Sequence, residues 1–222
     1  MKVSVITTTF NDADNIDLCL SSIDNQLVKG FELEHIIWDD GSTEVETLYT
    51  KTERYNTTVY TGNDNQGLPA ARNSAIDKTD NDAVLFLDAD DWFSRTAVLN
   101  MVKASKGLRS PVYPSVQMWG ESSSFISKPE WTKEAAMKQL FIPSSSLVMR
   151  SDFDSVGGFT TGLPLLEDFD LWFRLAREGF TGKYCPRALL HYNIRKDSMS
   201  DHFNLINGGS IKKEIYNKIV NQ

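Results

Sequence analysis

The chain opens on a run of β-branched and apolar positions, residues 2–8, that gives way to Asn11-Asp12-Ala13-Asp14. The run predicts a strand, and the Asn/Asp cluster predicts the start of a helix. Ile16, Leu20, Ile23 and Leu27 follow at helical spacing and form one apolar stripe. A second apolar run, 31–38, stops at Asp39-Asp40-Gly41-Ser42, and a third, Thr57 to Thr61, ends at Gly62-Asn63-Asp64-Asn65. Leu68, Ala71 and Ala75 predict a helix. Ala83-Val84-Leu85-Phe86-Leu87 is apolar at every position, as expected of a strand buried on both faces.

The second half is less regular. Residues 110–119 and Leu147-Val148-Met149 predict strands, 120–130 a loop, and Gly157-Gly158 a turn. Phe169, Trp172, Phe173 and Ala176 mark a helix that begins at Glu167-Asp168. Strand-like segments follow at 180–185 and 188–194, and Ile211, Ile215 and Ile219 mark a terminal helix. Strands alternating with helices imply an α/β fold with a mainly parallel central sheet flanked by helices. Such sheets bind ligands at the carboxyl ends of their strands. Three polar clusters fall at those ends, after the first strand, after the second, and after Leu87.

Composition narrows the field only moderately. With 222 residues, 41% hydrophobic and 24% charged, the chain predicts one globular domain over 1–222. A formal charge of -7 argues against a nucleic-acid partner, whose phosphates require a basic surface. It leaves phosphate-containing small ligands open, because a bound cation reverses the local sign. No apolar run reaches the roughly 18–20 residues of a transmembrane segment. Cys19 and Cys185 form neither a disulfide framework nor a metal-ligand pair. These features predict a cytoplasmic protein, or one peripheral at a membrane surface.

The candidate chemistry is carboxylate chemistry. Asp88-Ala89-Asp90-Asp91 follows the most apolar strand, and residues two apart in extended backbone point the same way. Asp88 and Asp90 therefore reach toward one ligand, and crowded carboxylates call for a compensating cation. Hard oxygen donors favour Mg²⁺ or Mn²⁺, which keep positions open for substrate phosphates. The bland alternative is an acidic turn capping a helix near Ser94. Asp39-Asp40-Gly41-Ser42 is likewise an ideal turn sequence. Glu167 and Asp168 in a first helical turn favour the helix dipole whether or not they do chemistry.

Five segments taken in order carry a resemblance. Val3-Ser4-Val5-Ile6-Thr7-Thr8-Thr9-Phe10-Asn11, Ile36-Ile37-Trp38-Asp39-Asp40-Gly41-Ser42-Thr43 and Asn65-Gln66-Gly67-Leu68-Pro69-Ala70-Ala71-Arg72-Asn73 are the first three. Leu87-Asp88-Ala89-Asp90-Asp91 matches an Asp-x-Asp motif, and Gly157-Gly158-Phe159 with Leu166-Glu167-Asp168-Phe169-Asp170-Leu171-Trp172 matches a Glu-Asp motif. Together they resemble the inverting family-2 glycosyltransferases of GT-A fold, in the nucleotide-diphospho-sugar transferase superfamily. The resemblance runs from residue 3 to about 200. It implies a nucleotide-binding half over about 1–105 and an acceptor-binding half over about 106–222. Thr8, Asp39 or Asp40, and Arg72 would line the nucleotide pocket. Asp88 would contact the ribose or the metal, Asp90 would bind the metal, and Asp168, with Glu167 beside it, would be the catalytic base.

The implied reaction transfers a sugar from a nucleotide-diphosphate sugar, by family habit a UDP-sugar, to an acceptor hydroxyl with inversion. A single base suffices for that attack, whereas a glycoside hydrolase needs a flanking acid and base. The acceptor is left open among glycan, lipid-linked glycan and protein, and so is the oligomeric state. One segment departs from the family pattern: His191-Tyr192-Asn193-Ile194-Arg195 places Arg195 where relatives carry a histidine. Arg195 can neutralise a diphosphate but cannot coordinate metal. His191 is the substitute metal ligand, against the commoner role of a packed histidine on a strand.

Rival readings fit less well. A sugar-nucleotide nucleotidyltransferase expects a basic Gly-rich loop after strand one, where this chain has Thr7-Thr8-Thr9-Phe10-Asn11-Asp12. A haloacid dehalogenase-type phosphatase expects its Asp-x-Asp near the start of the domain. A non-catalytic nucleotide-sugar or glycan-binding module would keep the pocket without needing both Asp90 and Asp168.

Overall fold

The computed structural model describes residues 1–106, 111–196 and 210–221, the side chains of 210–212 excepted. Among these, a nine-stranded sheet runs in the order β3-β2-β1-β4-β8-β6-β9-β5, with β7 paired to β6. The strands are β1 (Lys2–Thr9), β2 (Glu32–Asp39), β3 (Thr58–Thr61), β4 (Ala83–Phe86), β5 (Trp92–Phe93), β6 (Val112–Gly120), β7 (Ser124–Ile126), β8 (Leu147–Met149) and β9 (Lys183–Ile194). β1 to β4 are mutually parallel, with Val3 opposite Leu33 and Ala83. β8 enters antiparallel to β4, β6 and β9 restore the first direction, and β5 and β7 oppose it. The sheet is thus mainly parallel, as the alternation of strands and helices predicts, with antiparallel strands confined to its second half.

Alternation along the strands builds two cores. Val3 and Val5 of β1 and Ala83 and Leu85 of β4 face one layer, with α1 (Asp17–Asp24), α2 (Val45–Thr52) and α4 (Ala97–Ala104). Ile6, Val84 and Phe86 face the other, with α3 (Leu68–Ile76), α6 (Arg150–Ser155) and α7 (Glu167–Arg177). Every residue of β4 is therefore buried, and its apolar sequence follows from that two-sided position. The last helix, α8 (Ser210–Val220), places Ile215 and Ile219 against Phe169 and Phe173 of α7. Ile211 of the predicted stripe lies outside the described side chains.

Several elements differ from expectation. The Asn11–Asp14 cluster leads into a 3-10 turn, Ala13–Asn15, and α1 ends at Asp24, so Leu27 stands outside the stripe and 41% exposed. Helices α2, α5 (Lys133–Lys138) and α6 have no counterpart in the periodicity, because α2 buries only Leu48 and Thr52 and α5 only Ala136. β7 occupies part of the predicted 120–130 loop as an exposed edge strand. The segments 180–185 and 188–194 form one strand, β9, whose register against β6 shifts between Pro114 and Ser115. A bulge of this kind breaks the alternation that a strand is read from.

Candidate active site

The carboxyl ends of β1, β2 and β4 lie side by side, since Thr9 pairs with Asp39 and Ile6 with Phe86. This register brings Thr8, Asp40, Asp88 and Asp90 to one cleft of about 420 Å³, closed on its far side by Tyr192 and Arg195. A second cavity of about 250 Å³ adjoins it and contains Glu167, Asp168, Ser144 and Ser145. Leu68, Asp88 and Tyr192 line both cavities, so Asp88 stands at their junction.

The Asp39–Asp40 pair divides its work. Asp39 accepts from the backbone N–H of Ser42 at 3.1 Å and from the Ser42 hydroxyl, which holds the turn after β2. It lines a separate hollow of about 120 Å³ with Thr9, Asn11 and Ser42. Asp40 reaches across to α3, where its Oδ2 accepts from the backbone N–H groups of Gln66 at 3.0 Å and Gly67 at 2.9 Å. Burial raises its pKa, and those two N–H groups oppose the rise. Gly67 adopts φ +86°, a conformation glycine reaches without the steric cost borne by other residues.

Arg72 lies beneath the floor rather than in it. It is 2% exposed and is absent from the lining of either cavity. Its Nη2 donates to Asp88 Oδ1 at 2.6 Å and its Nη1 to Glu167 Oε1 at 2.8 Å, while its guanidinium sits over the rings of Phe86 and Phe159. A buried guanidinium needs such partners to offset its desolvation. The same floor is tied to the Gly157-Gly158 turn by Asn73, which donates to Phe159 O at 2.9 Å and accepts from Phe159 N at 3.0 Å.

On the opposite wall Arg195 donates to both oxygens of Asp12, at 3.1 and 2.9 Å, and pairs with Asp90 Oδ2 at 2.8 Å. Burial pushes Asp90 up to about 6, reinforced by Asp88 and Asp12 and opposed by Arg195. Asp12, which the sequence offered only as a helix start, is thus a partner of the predicted site. Asp91 turns away from Asp90: its Oδ1 accepts from the backbone N–H of Asn193 at 2.8 Å. His191 stacks on Trp92, with ring centroids 4.8 Å apart and planes within 6°, and lines neither cavity. The packed role therefore accounts for His191 without a metal.

Asp168 opens α7 inside the second cavity. Burial raises its pKa to about 7, with Glu167 adding to the rise. The neighbouring Phe169 N–H, at 2.7 Å from its Oδ1, and the charge of Arg72 pull the other way. A carboxylate poised near neutrality suits proton acceptance. Leu166, which precedes it, has φ +65°, and this left-handed residue sets the direction in which the helix leaves the cavity.

The sheet thus carries two adjoining cavities at its strand ends, one lined by Asp88 and Asp90 and the other by the acidic start of α7. The sequence profile of glycosyl transferase family 2 matches residues 4–167, and the chain belongs to that family. It is 26% identical over 237 residues to an uncharacterized glycosyltransferase of Haemophilus influenzae, covering 99% of this chain and 79% of that protein. It is 25% identical over 207 residues to the Escherichia coli UDP-Glc:alpha-D-GlcNAc-diphosphoundecaprenol beta-1,3-glucosyltransferase WfaP, covering 89% of this chain and 79% of that one. Among solved structures, Staphylococcus aureus TarS 1–349 in complex with UDP-GlcNAc superposes with a TM-score of 0.74 at 20% identity. That match covers 90% of this chain and 61% of the TarS chain, and it establishes likeness of fold. No helix among the described residues is long and apolar enough to cross a membrane.

Proposed function

We propose that the chain transfers a sugar from a nucleotide-diphosphate sugar to an acceptor hydroxyl with inversion at the anomeric carbon. The observation that carries this reading is the shared wall at Asp88: the larger cleft suits a donor, the smaller one an acceptor, and Asp168 lies in the smaller. The base lies at the ends of β1 and β2, against Thr8 and Asp40 in the larger cleft or against Asp39 in the neighbouring hollow, with Thr9 lining both. UDP is the favoured nucleotide, supported by the UDP-GlcNAc complex of TarS and the UDP-glucose specificity in the name of the E. coli relative. The nucleotide-binding half then spans about 1–105 and the acceptor-binding half about 106–222, the latter lending Tyr192 and Arg195 to the donor cleft.

Asp168 accepts the proton of the attacking hydroxyl, and Glu167, held by Arg72, keeps the neighbouring charge fixed. Arg195 offers its guanidinium to the leaving diphosphate on the opposite wall. The residues present fit a divalent cation: Asp88 and Asp90 give hard oxygen donors at one cleft, and burial raises the pKa of Asp90, with Asp88 adding to the rise and Arg195 opposing it. Among the described residues no three His, Cys, Asp or Glu side chains form a closed metal site. Mg²⁺ ordinarily takes one or two carboxylates together with substrate phosphates, and Mn²⁺ shares its preference for oxygen donors. When bound, the cation supplies electrostatic stabilisation of the diphosphate.

The test is thermal stabilisation by nucleoside diphosphates and nucleotide sugars with Mn²⁺, Mg²⁺ or EDTA. A shift confined to one nucleotide class supports donor binding and names its base. Absence of any shift across the panel counts against the donor site.

A further inference from the structure

Asp91 lines the second cavity and not the larger cleft, and it is 1% exposed. Its Oδ1 is held by the Asn193 N–H, whereas its buried Oδ2 has no hydrogen-bond partner among the described residues. Ser145, equally buried, lines the same cavity. It stands at the apex of a tight turn in which the Ser144 carbonyl accepts from the Ser146 N–H at 2.6 Å. No hydrogen bond engages its hydroxyl among the described residues. β8 runs antiparallel to β4 with Leu147 opposite Leu85. That register brings Ser145, two residues before Leu147, to the end of β4 from which the Asp88–Asp91 turn leaves.

A buried carboxylate oxygen without a donor is costly, and a ligand hydroxyl removes that cost. The other walls of the cavity indicate what carries the hydroxyl. Leu68, Leu165 and Leu190 set apolar surface beside the polar groups, a mixture that suits the C–H face and hydroxyl rim of a sugar ring. Asp88, Asp91, Glu167 and Asp168 line the cavity, and no Lys, Arg or His does so among the described residues. Arg72, beneath the floor, is already divided between Asp88 and Glu167. Lys128, whose charge reaches Asp168, lines neither cavity. A phosphate or carboxylate on the bound unit would therefore be desolvated against like charge. Resting on the proposed transferase reading, we propose that the second cavity takes an uncharged hexopyranose unit of the acceptor. Asp91 Oδ2 accepts from one of its non-reacting hydroxyls and Ser145 Oγ bonds another, which turns the reacting hydroxyl to Asp168. Asp91 and Ser145 thus select the acceptor and take no proton from it.

The test is saturation-transfer NMR on the full chain with UDP and Mg²⁺ present. The probes are the methyl pyranosides of glucose, galactose, mannose and N-acetylglucosamine, each beside its 6-phosphate. At least one neutral glycoside should bind about tenfold more tightly than its phosphate, the effect of an uncompensated like charge. Asp91→Asn replaces the accepting oxygen by a donor while the other oxygen still serves Asn193, and Ser145→Val removes the hydroxyl. Each should weaken that glycoside about tenfold, as the loss of one hydrogen bond to a buried group does, and leave UDP affinity unchanged. A hexyl glycoside that outcompetes the methyl glycoside identifies a lipid-linked sugar as the source, and a methyl disaccharide that does so identifies a glycan chain end. Absence of binding by every neutral glycoside, a phosphate that binds as tightly, or unchanged glycoside affinity in both variants overturns the proposal. UDP titrated into the same samples reports on the donor site alone. Failure of UDP to bind counts against the transferase reading, whereas UDP binding without glycoside binding counts against the Asp91–Ser145 site.

Discussion

Arg72 and Glu167, 95 residues apart in the chain, meet at 2.8 Å beneath the junction of the two cavities. One belongs to the helix that follows the donor-side loop and the other to the first turn of the helix bearing Asp168. Because the second Nη of Arg72 holds Asp88, a single guanidinium fixes one carboxylate from each side of the junction. The sequence placed Arg72 in the nucleotide pocket, whereas its burial makes it the support under both cavities.

Arg72→Ala removes the cation and leaves Glu167, itself 8% exposed, without its partner. Breaking a buried pair from one side costs about 3–5 kcal/mol, more than most single substitutions. The urea midpoint should fall accordingly. Arg72→Met, which removes the charge while keeping volume, should be nearly as costly, since Glu167 and Asp88 remain. An unchanged midpoint for both variants would mean that the two carboxylates find water or another partner.

Asn73 joins α3 to the Gly157-Gly158-Phe159 turn through two hydrogen bonds to the backbone of Phe159. Asn73→Ala orphans both backbone groups, at about 1–3 kcal/mol for a buried unsatisfied group. Gly158→Val is expected to destabilise as well. Gly158 has φ +71°, and an added Cβ would stand 3.0 Å from both Asn73 Oδ1 and a Phe153 ring carbon. Thermal melts of the two single variants and the double variant should show that the effects do not add, because both act on one contact.

Asp90 and Arg195 set up the third expectation. Asp90→Asn takes the carboxylate from Arg195, which retains Asp12, so the fold should hold to within about 1 kcal/mol. Donor stabilisation that depends on Mn²⁺ or Mg²⁺ should disappear, and EDTA should reproduce the loss in the parent protein. If EDTA has no effect on donor stabilisation or turnover, Arg195 alone serves the diphosphate and the metal assignment fails.

The parallel half of this fold was legible because each strand there is buried on two faces or ends in a polar cluster. Leu85 and Phe86 could only be core, and Asp88 had to lie at a strand end. The antiparallel half was harder for local reasons. β7 has two exposed positions out of three, and α6 buries only Asp152 and Phe153, so neither carries a periodic signal. At the site, Asp88, Asp90, Glu167 and Asp168 were readable as motif carboxylates. The pairing of Asp12 with Arg195 spans 183 residues and follows from the sheet order, which no local pattern encodes. For His191 the sequence offered both a metal ligand and a packed histidine, and the partner that gives it a packed role, Trp92, is set by the β5–β9 register.

Asp168 gives the sharpest expectation, because its raised pKa acts on rate and on stability with separate signs. As a base it works only when ionised, so kcat/KM should rise with pH and level off above about 7. Asp168→Asn should lower turnover by about 10²–10⁴-fold and leave nucleotide binding intact. For stability, the folded pKa of about 7 exceeds the unfolded value of about 3.9. Between those values the folded protein binds more protons than the unfolded chain, so stability falls as pH rises, and the full penalty is present above about 7. Asn does not titrate. Asp168→Asn should therefore gain stability relative to the parent across that window, by about 1–4 kcal/mol at its upper end. Denaturation curves at pH 4.5 and 8 on both proteins measure the difference directly. A variant that loses turnover without this relative gain would show that Asp168 is ionised at little cost, and the basis for assigning it as the base would be lost.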